Sequence, residues 1–551
     1  MLKNRVLVIA VDGVTFKVIR PLIEEGHLPN LAQLMAEGSS GELLSTMPPV
    51  SGPSWHAFKT GKNPGTTGVF DFLRHDPKRY QTSLIQLGQL PDPTIWDIVG
   101  SFGDGCIGVY DLPTTYPPVE MNGFLVAGFP IPDHAQDYTY PLELKAELDR
   151  VTGGHRTDIR YRNYLRHEDF LNDVHSLLDQ RMKAYHFLKK KYDPELFIFA
   201  FTCTDRVQHR LWRYMDPEEH GDDVHHTKYR ELVHDFWKHL DEAVGNILET
   251  TDDKTTVFIL SDHGFGVQDE TFYINQWLLQ EGFLKLKGDG LKSKSFFQRI
   301  HNFSSNLAQH LPMPEHLRQR APRFLSKPKE RKVSYESMLG QIDWSRTRAY
   351  SPPHTSVYGT IYINSEGRQD QGTVSPRLYE ELREQIIHEL RVLSATTPNL
   401  QIQIFKREEL YREKYLSQAP DLVYVINNWR CISRSSFVQG AVFQKDSIRE
   451  DYSGTHRPEG ILIVRGPEIR KDHRLGQAEI IDIVPTLLHI LEIPIPDDMD
   501  GRVLKDLFEP ESDFARREIR FVNAPTLHIE RGAKEIQDES VRRSLEDLGY
   551  L

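Results

Sequence analysis

The sequence predicts an α/β fold: a mostly parallel sheet with helices on both faces, plus inserted cap segments. Three observations carry this. Short β-rich apolar runs alternate with longer amphipathic stretches, the pattern of a parallel sheet covered by helices. The runs end in polar or glycine-bearing residues, where open α/β sheets place their chemistry. One stretch, about Gly282–Glu336, departs from the alternation with twelve Lys/Arg against four Asp/Glu and with four prolines.

The first run, Val6–Val11, is a strand that meets Asp12 and then a glycine. Gly52 and Pro53 precede a helix expected over Ser54–Thr60, because proline suits the first helical turn. The short apolar runs Cys106–Tyr110 and Phe124–Ala127 follow as strands. An amphipathic stretch predicts a helix over about Glu168–Lys191, before a strand at Leu196–Phe201 and a second long helix over about Val224–Thr250. Thr256–Leu260 is the strand that leads into Asp262-His263-Gly264. Pro376–Leu393 reads as a helix, Gly460–Val464 as a strand and Ile480–Leu491 as the last clear helix. The basic 282–336 stretch reads as an insert, either a solvated helical excursion or a lid that attracts an anionic substrate.

A chain of 551 residues with 39% apolar and 26% charged residues supports a sizeable core and is not a disordered composition. The formal charge of −12 argues against a general polyanion binder, so no nucleic-acid polymer is expected as partner. Three scattered cysteines, Cys106, Cys203 and Cys431, fit a reducing compartment better than a disulfide framework. The opening MLKNRVLVIAVDG has too short an apolar run for a signal peptide, and no later stretch suits a transmembrane helix. The chain therefore reads as cytoplasmic. Its 24 histidines invite a search for metal sites.

Asp and His recur at four predicted strand ends or entries. Asp12 follows the first strand, where a lone Asp is ordinarily a turn or helix cap. Asp205 and His209 lie four residues apart in CTDRVQHRLW and would share one face of a helical turn. Asp262 and His263 follow the strand Thr256–Leu260, and a turn at Gly264 can bring both toward one ion. His456 lies in a loop, YSGTHRPEG, leading into a strand; alone it would be a solvated loop histidine. Each has an ordinary structural explanation. Together, three Asp and three His supply hard oxygen and borderline nitrogen ligands for two cations, the number a two-metal hydrolase needs.

Between the first two groups lies MPPVSGPSWHAFKTGKNPGTTGVFDF. A serine at the start of its helix has free N–H groups and the helix dipole to favour a developing alkoxide and an incoming phosphate. Ser51 is the preferred nucleophile because it precedes the helix; Ser54 is its rival, and an N-cap is the bland alternative. SGPSW also resembles a sulfatase activation signature, but Trp55 stands where that signature requires Arg.

These motifs, in order, resemble the alkaline phosphatase superfamily: VIAVDG, PPVSGPSW with TGKNPGTTGVFDF, TDRVQHRLW, LSDHGF, SGTHRPEGILIVRGP and IDIVPTLLHILEIPIPDDMDGRVL. The closest resemblance is to the branch of type I phosphodiesterases, nucleotide pyrophosphatases and bacterial phosphohydrolase/phosphomutases. It spans about Leu2–Leu507 and includes IYINSEGRQDQGTV and APDLVYVI. The resemblance implies an alkaline-phosphatase-like core in which Asp205, His209 and His456 hold one metal. Asp12, Asp262, His263 and the Ser51 hydroxyl would hold the other. It further implies that Ser51 attacks phosphorus and passes through a phosphoseryl intermediate. The implied cofactors are two divalent ions, zinc first and manganese as the alternative found in cofactor-independent phosphoglycerate mutases. Two departures stand out: Thr67-Gly68 replaces the His-Gly common in the branch, and Ser54 replaces its usual Ala or Asn. Ser54 and Lys62 are the candidate substrate contacts, with Lys59 nearby.

Other signals carry less. His220, His225, His226, His234 and His239 are spread around a charged helix rather than stacked on one face, which suits a solvated face. Trp212, Phe236 and Trp237 read as packing residues. The turn Pro496–Gly501 lacks the spacing and terminal glutamate of a calcium loop. The expected organisation is a core over 1–270 interrupted at about 72–195, a cap over 271–452, the rest of the core over 453–510 and an extension over 511–551. The expected function is a metal-dependent phosphoester hydrolase acting on a small phosphorylated substrate. Diesters or pyrophosphates are favoured over monoesters; a phosphomutase is the alternative, with a sulfatase or a non-catalytic anion binder behind it.

Overall fold

The computed structural model describes residues 3–85, 90–103, 105–159, 164–216, 224–288, 339–412, 414–438, 442–445, 453–523, 535–536 and 538–547. Most of the basic 282–336 stretch, His220 and the His225 side chain lie outside the described residues.

Five parallel strands form the centre of the main sheet, in the spatial order Gly123–Ala127, Ile107–Leu112, Leu196–Phe201, Arg5–Val11 and Thr255–Leu260. Every residue of Val6–Val11 and Leu196–Phe201 is buried. Both faces of these strands are therefore covered, which is why their sequences run continuously apolar instead of alternating. Ile9, fully buried, shows the scale: its truncation to Ala would cost about 2–5 kcal/mol. The long helices His167–Tyr192 and Val224–Leu248 pack on each other, and the 72–195 segment supplies two of the five parallel strands.

The strand expected at Gly460–Val464 runs over Glu459–Arg465 and lies antiparallel, between Thr255–Leu260 and Ser39–Leu44. Its direction matters. A reversed strand brings its entry, not its end, to the edge where the parallel strands finish. His456 thereby reaches the same edge as Asp12, Asp205 and Asp262.

The cap has a sheet of its own. Ala349–Tyr350, Gly359–Ile363, Leu422–Ile426, Cys431–Arg434, Glu270–Tyr273 and Phe443–Lys445 follow one another across it, with Ile402–Lys406 also paired to Leu422–Ile426. Phe272, Trp277, Tyr350, Ile386 and Tyr424 fill its separate core. A third apolar cluster, with Val50, Phe72 and Phe129 from one side and Val357, Tyr358 and Val423 from the other, joins cap to core beside the Ser51 helix. Val541 and Leu545, on the helix Glu539–Asp547, complete that cluster.

Candidate metal centre

Asp12, Asp205, Asp262 and His263 each stand just past the end of a strand. Asp12 follows Arg5–Val11, and its backbone N–H still bonds Phe201 O at 3.2 Å. Gly13 next to it has φ +71°, and a Cβ there would come within 2.6 Å of the Phe265 ring, so only glycine allows this turn. Two residues past the strand Leu196–Phe201 a helix begins at Cys203 and runs to Leu211. It sets Asp205 and His209 one turn apart, with Asp205 Oδ1 and His209 Nε2 at 3.3 Å. Asp262 and His263 occupy the connection between Thr255–Leu260 and the short strand Gly264–Val267.

His456 is not in a loop. It lies in the strand Gly454–Arg457, which pairs antiparallel with Gly264–Val267 and places His456 opposite Phe265. The ladder partner is almost two hundred residues away in sequence, so local composition could not reveal it. The helix that carries the predicted nucleophile also differs from expectation: it spans Ser51–Thr60, not Ser54–Thr60, and Ser51 is its first residue. Pro53 fits inside the first turn because that position needs no N–H.

The structure brings all seven predicted residues together. His456 Nε2 lies 3.4 Å from Asp205 Oδ1 and 3.1 Å from His209 Nε2. His263 Nε2 lies 3.5 Å from both Asp12 Oδ1 and Asp262 Oδ2, and 3.2 Å from Ser51 Oγ. The His263 and His456 rings stack at 3.6 Å and join the two groups. All seven are buried, with Asp205, His209, Asp262, His263 and His456 at 0% exposure.

Three details test whether this set suits cations. Asp12 Oδ1, Asp205 Oδ1 and Asp262 Oδ2 are buried without a hydrogen-bond partner, an arrangement that is costly unless a positive group completes it. The Nδ1 atoms of His209, His263 and His456 face the carbonyls of Gly454, Gly264 and Pro49 at 3.0, 3.1 and 2.9 Å, so each Nε2 is turned inward as an available lone pair. Finally, ligands about 2.0–2.1 Å from a tetrahedral zinc lie roughly 3.3 Å apart, and the Asp205–His209–His456 atoms are separated by 3.1–3.4 Å. The residues fit.

Electrostatics agree. Burial, with the charges of Asp262 and Asp205, pushes the Asp12 pKa well above its ordinary value. Burial also raises Asp262 to about 7. For Asp205 burial acts upward too, but His209, His456 and Arg206 together hold it well below the usual range. Burial keeps His263 far below its ordinary value and lowers His456 to about 4. His263 and His456 are thus held neutral, the form that binds metal.

The two predicted substrate contacts point elsewhere. Ser54 Oγ is fully buried and bonds the hydroxyls of Ser45 and Thr46 at 2.7 and 3.0 Å, supporting the helix from behind. Lys62 pairs with Asp498 at 2.5 Å. Lys62 lies past the end of the helix, which stops at Thr60 and turns at left-handed Gly61. Lys59 Nζ donates to Thr114 O at 2.7 Å. Residues that the motifs do not single out surround the ligands instead. Trp55 Nε1 donates to Asp12 Oδ2 at 3.3 Å, the Phe265 ring packs edge-on against His209 at 4.7 Å, and Arg206 bonds Asp205 Oδ2 at 2.5 Å. Adjacency to Asp205 in TDRVQHR was the only available signal for Arg206.

Comparison with known proteins now has a site to refer to. The sequence profile of the family described as type I phosphodiesterase / nucleotide pyrophosphatase matches residues 6–436. The chain belongs to this family. It is a hydrolase of phosphoester bonds, with an alkaline-phosphatase-like α/β fold. Phosphonoacetate hydrolase from Sinorhizobium meliloti 1021, solved with phosphonoformate, is similar in fold at TM-score 0.50 and 12% identity, over 90% of this chain and 98% of that one. Human ectonucleotide pyrophosphatase/phosphodiesterase 5 aligns at TM-score 0.48 and 15% identity, over 92% of this chain and 100% of that one. A comparison with curated proteins finds no match. No helix among the described residues is long and apolar enough to cross a membrane.

Proposed function

We propose that this hydrolase uses Ser51 as its nucleophile and two divalent cations, zinc by preference, on small phosphodiester or pyrophosphate substrates. One observation carries the reading: Ser51 Oγ, on the first residue of a helix, lies 3.2 Å from His263 Nε2, where two groups of buried carboxylates and imidazoles meet. Asp205, His209 and His456 would hold one cation, and Asp12, Asp262, His263 and the Ser51 hydroxyl the other. Such ions supply charge neutralisation for the phosphate and lower the pKa of a bound hydroxyl or water.

The chain's own residues provide the rest. The first-turn N–H groups of the Ser51–Thr60 helix and its dipole favour an anionic phosphate there. Ser51 Oγ attacks phosphorus in line with the leaving oxygen. The phosphorus–Oγ bond forms, the phosphorus–oxygen bond to the leaving group breaks, and the serine proton passes to solvent. Water then attacks the phosphoseryl group from the opposite side, and Ser51 leaves with a proton restored. The ring orientations set by Gly264 O and Pro49 O hold His263 and His456 in place throughout. We assign the protein to the cytoplasm, a location supported by three cysteines that form no disulfide.

Hydrolysis of bis-p-nitrophenyl phosphate beside p-nitrophenyl phosphate, with metal-reconstituted protein and a Ser51→Ala control, tests the reading. A diester preference lost in the control supports it. A monoester preference overturns the substrate class, and full activity of the control overturns the nucleophile.

A further inference from the structure

Asp205 uses its two carboxylate oxygens differently. Oδ1 faces His209 and His456 and has no hydrogen-bond partner, whereas Oδ2 accepts from Arg206 Nη1 at 2.5 Å. The Arg206 side chain is 3% exposed, and its guanidinium lies over the Phe129 ring at 4.8 Å. Its far side is gripped by Asp158: Nη2 donates to Oδ2 at 2.8 Å and Nε to Oδ1 at 3.3 Å. A fork held by a carboxylate at one end and an aromatic face beneath it has little rotational freedom.

The clamp has its own support. Asp158 sits in a short connection whose carbonyls, Arg156 O and Thr157 O, accept from the buried Arg181 at 2.5 and 2.9 Å. Arg181 is in turn paired with buried Asp111 at 2.9 Å, and Thr202 Oγ1 donates to the same Asp111 oxygen at 3.1 Å. A continuous chain of charge-assisted contacts thus runs from the helix His167–Tyr192 through Arg181, the 156–158 backbone, Asp158 and Arg206 to one oxygen of Asp205. A buried arginine between two carboxylates is expensive to assemble unless its geometry is fully used; here it fixes which oxygen of Asp205 remains available.

We propose that Arg206 is a positioning residue that makes Asp205 a one-oxygen ligand of the Asp205–His209–His456 cation, and that Asp158 holds Arg206 in that pose. The inference rests on the two-cation reading above. It predicts the larger effect at that one site, since the clamp's hydrogen bond ends on Asp205 while Arg206 acts on Asp12 only through its charge.

Competition with a chromophoric zinc chelator, read alongside cobalt(II) absorption spectra, measures both sites in the purified full-length protein. Arg206→Met should weaken one of two zinc affinities by about 10–100-fold, the range for lost outer-shell partners, and alter one cobalt spectrum. Arg206→Lys should recover part of the loss, and Asp158→Asn should weaken the same site to a smaller extent. A folded Arg206→Met protein with both affinities at wild-type level would make Arg206 mere packing and overturn the proposal, even with a lowered melting temperature. Should Arg206→Met fail to fold, Asp158→Asn decides alone, unchanged affinity being the refuting result. Wild-type protein that takes up fewer than two zinc ions would instead refute the two-cation reading itself.

Discussion

The buried centre around Asp12, Asp205 and Asp262 can be set against a second group, Glu25 with His27 and His234. Both gather carboxylate and imidazole atoms within 4.8 Å of one another. In the second group Glu25 is exposed and both histidines are half-buried. His27 Nε2 stands 3.4 Å from Glu25 Oε2, and the two rings meet tilted at 5.6 Å. The group is open to solvent on the Glu25 side, and burial followed by the charge of Arg230 lowers the His234 pKa. In the buried centre the side chains are almost wholly shielded from bulk solvent, three carboxylate oxygens lack a donor, and three backbone carbonyls aim the imidazoles. Residue types and spacing are alike in the two places. What differs is burial and the outer ring of hydrogen bonds, which is what the proposed binding of metal at the buried centre rests on.

Several substitutions sharpen or break this contrast. The largest expected effect is Ser51→Ala, which should lower kcat/KM by a factor on the order of 10³ or more while elemental analysis still finds two metals; near wild-type turnover would remove Ser51 as nucleophile. Next, His456→Ala should take bound metal from two ions toward one, and an unchanged content would strike it from the ligand set. Chelation should come third. Stripped protein loses the linkage stabilisation, about 2.7 kcal/mol for an ion present at a hundredfold its Kd, so its Tm should fall and recover on adding zinc; an identical Tm with and without metal contradicts a structural load on the three orphan oxygens. The smallest effect belongs to the surface group. His27→Ala with His234→Ala should leave metal content and activity unchanged and shift stability by no more than about 0.5 kcal/mol; loss of a metal would erase the distinction drawn between the two groups. Lys62→Met should likewise leave KM alone, since its charge is spent on Asp498, and a clear rise in KM would return Lys62 to the substrate site.

The legible part of the site lay in places where local pattern and chemistry coincide. Asp12, Asp205 and Asp262 each follow a continuous apolar run, and a buried parallel strand must end somewhere polar. Asp205 and His209 are four residues apart, so a single helical turn brings them together. His456 was legible as a residue but not as a strand, because its ladder depends on Gly264–Val267. Ser54 and Lys62 have partners that sequence could not show, the hydroxyls of Ser45 and Thr46 and the Asp498 carboxylate, because sequence proximity to Ser51 says nothing about which way a side chain turns. The start of that helix moved from Ser54 to Ser51 because Pro53 is as acceptable inside a first turn as just before one.

By itself, the sequence determined the class of fold, the catalytic family and which Asp, His and Ser residues meet in the centre, since apolar periodicity and motif spacing are local properties that survive without coordinates. Tertiary structure alone decided how that cast is arranged. It reversed the strand that delivers His456, buried three carboxylate oxygens without donors, and brought Asp158 to Arg206 from almost fifty residues away. Such contacts depend on how distant segments pack, and burial then makes them count, because a charge shielded from water is governed by the few groups it touches.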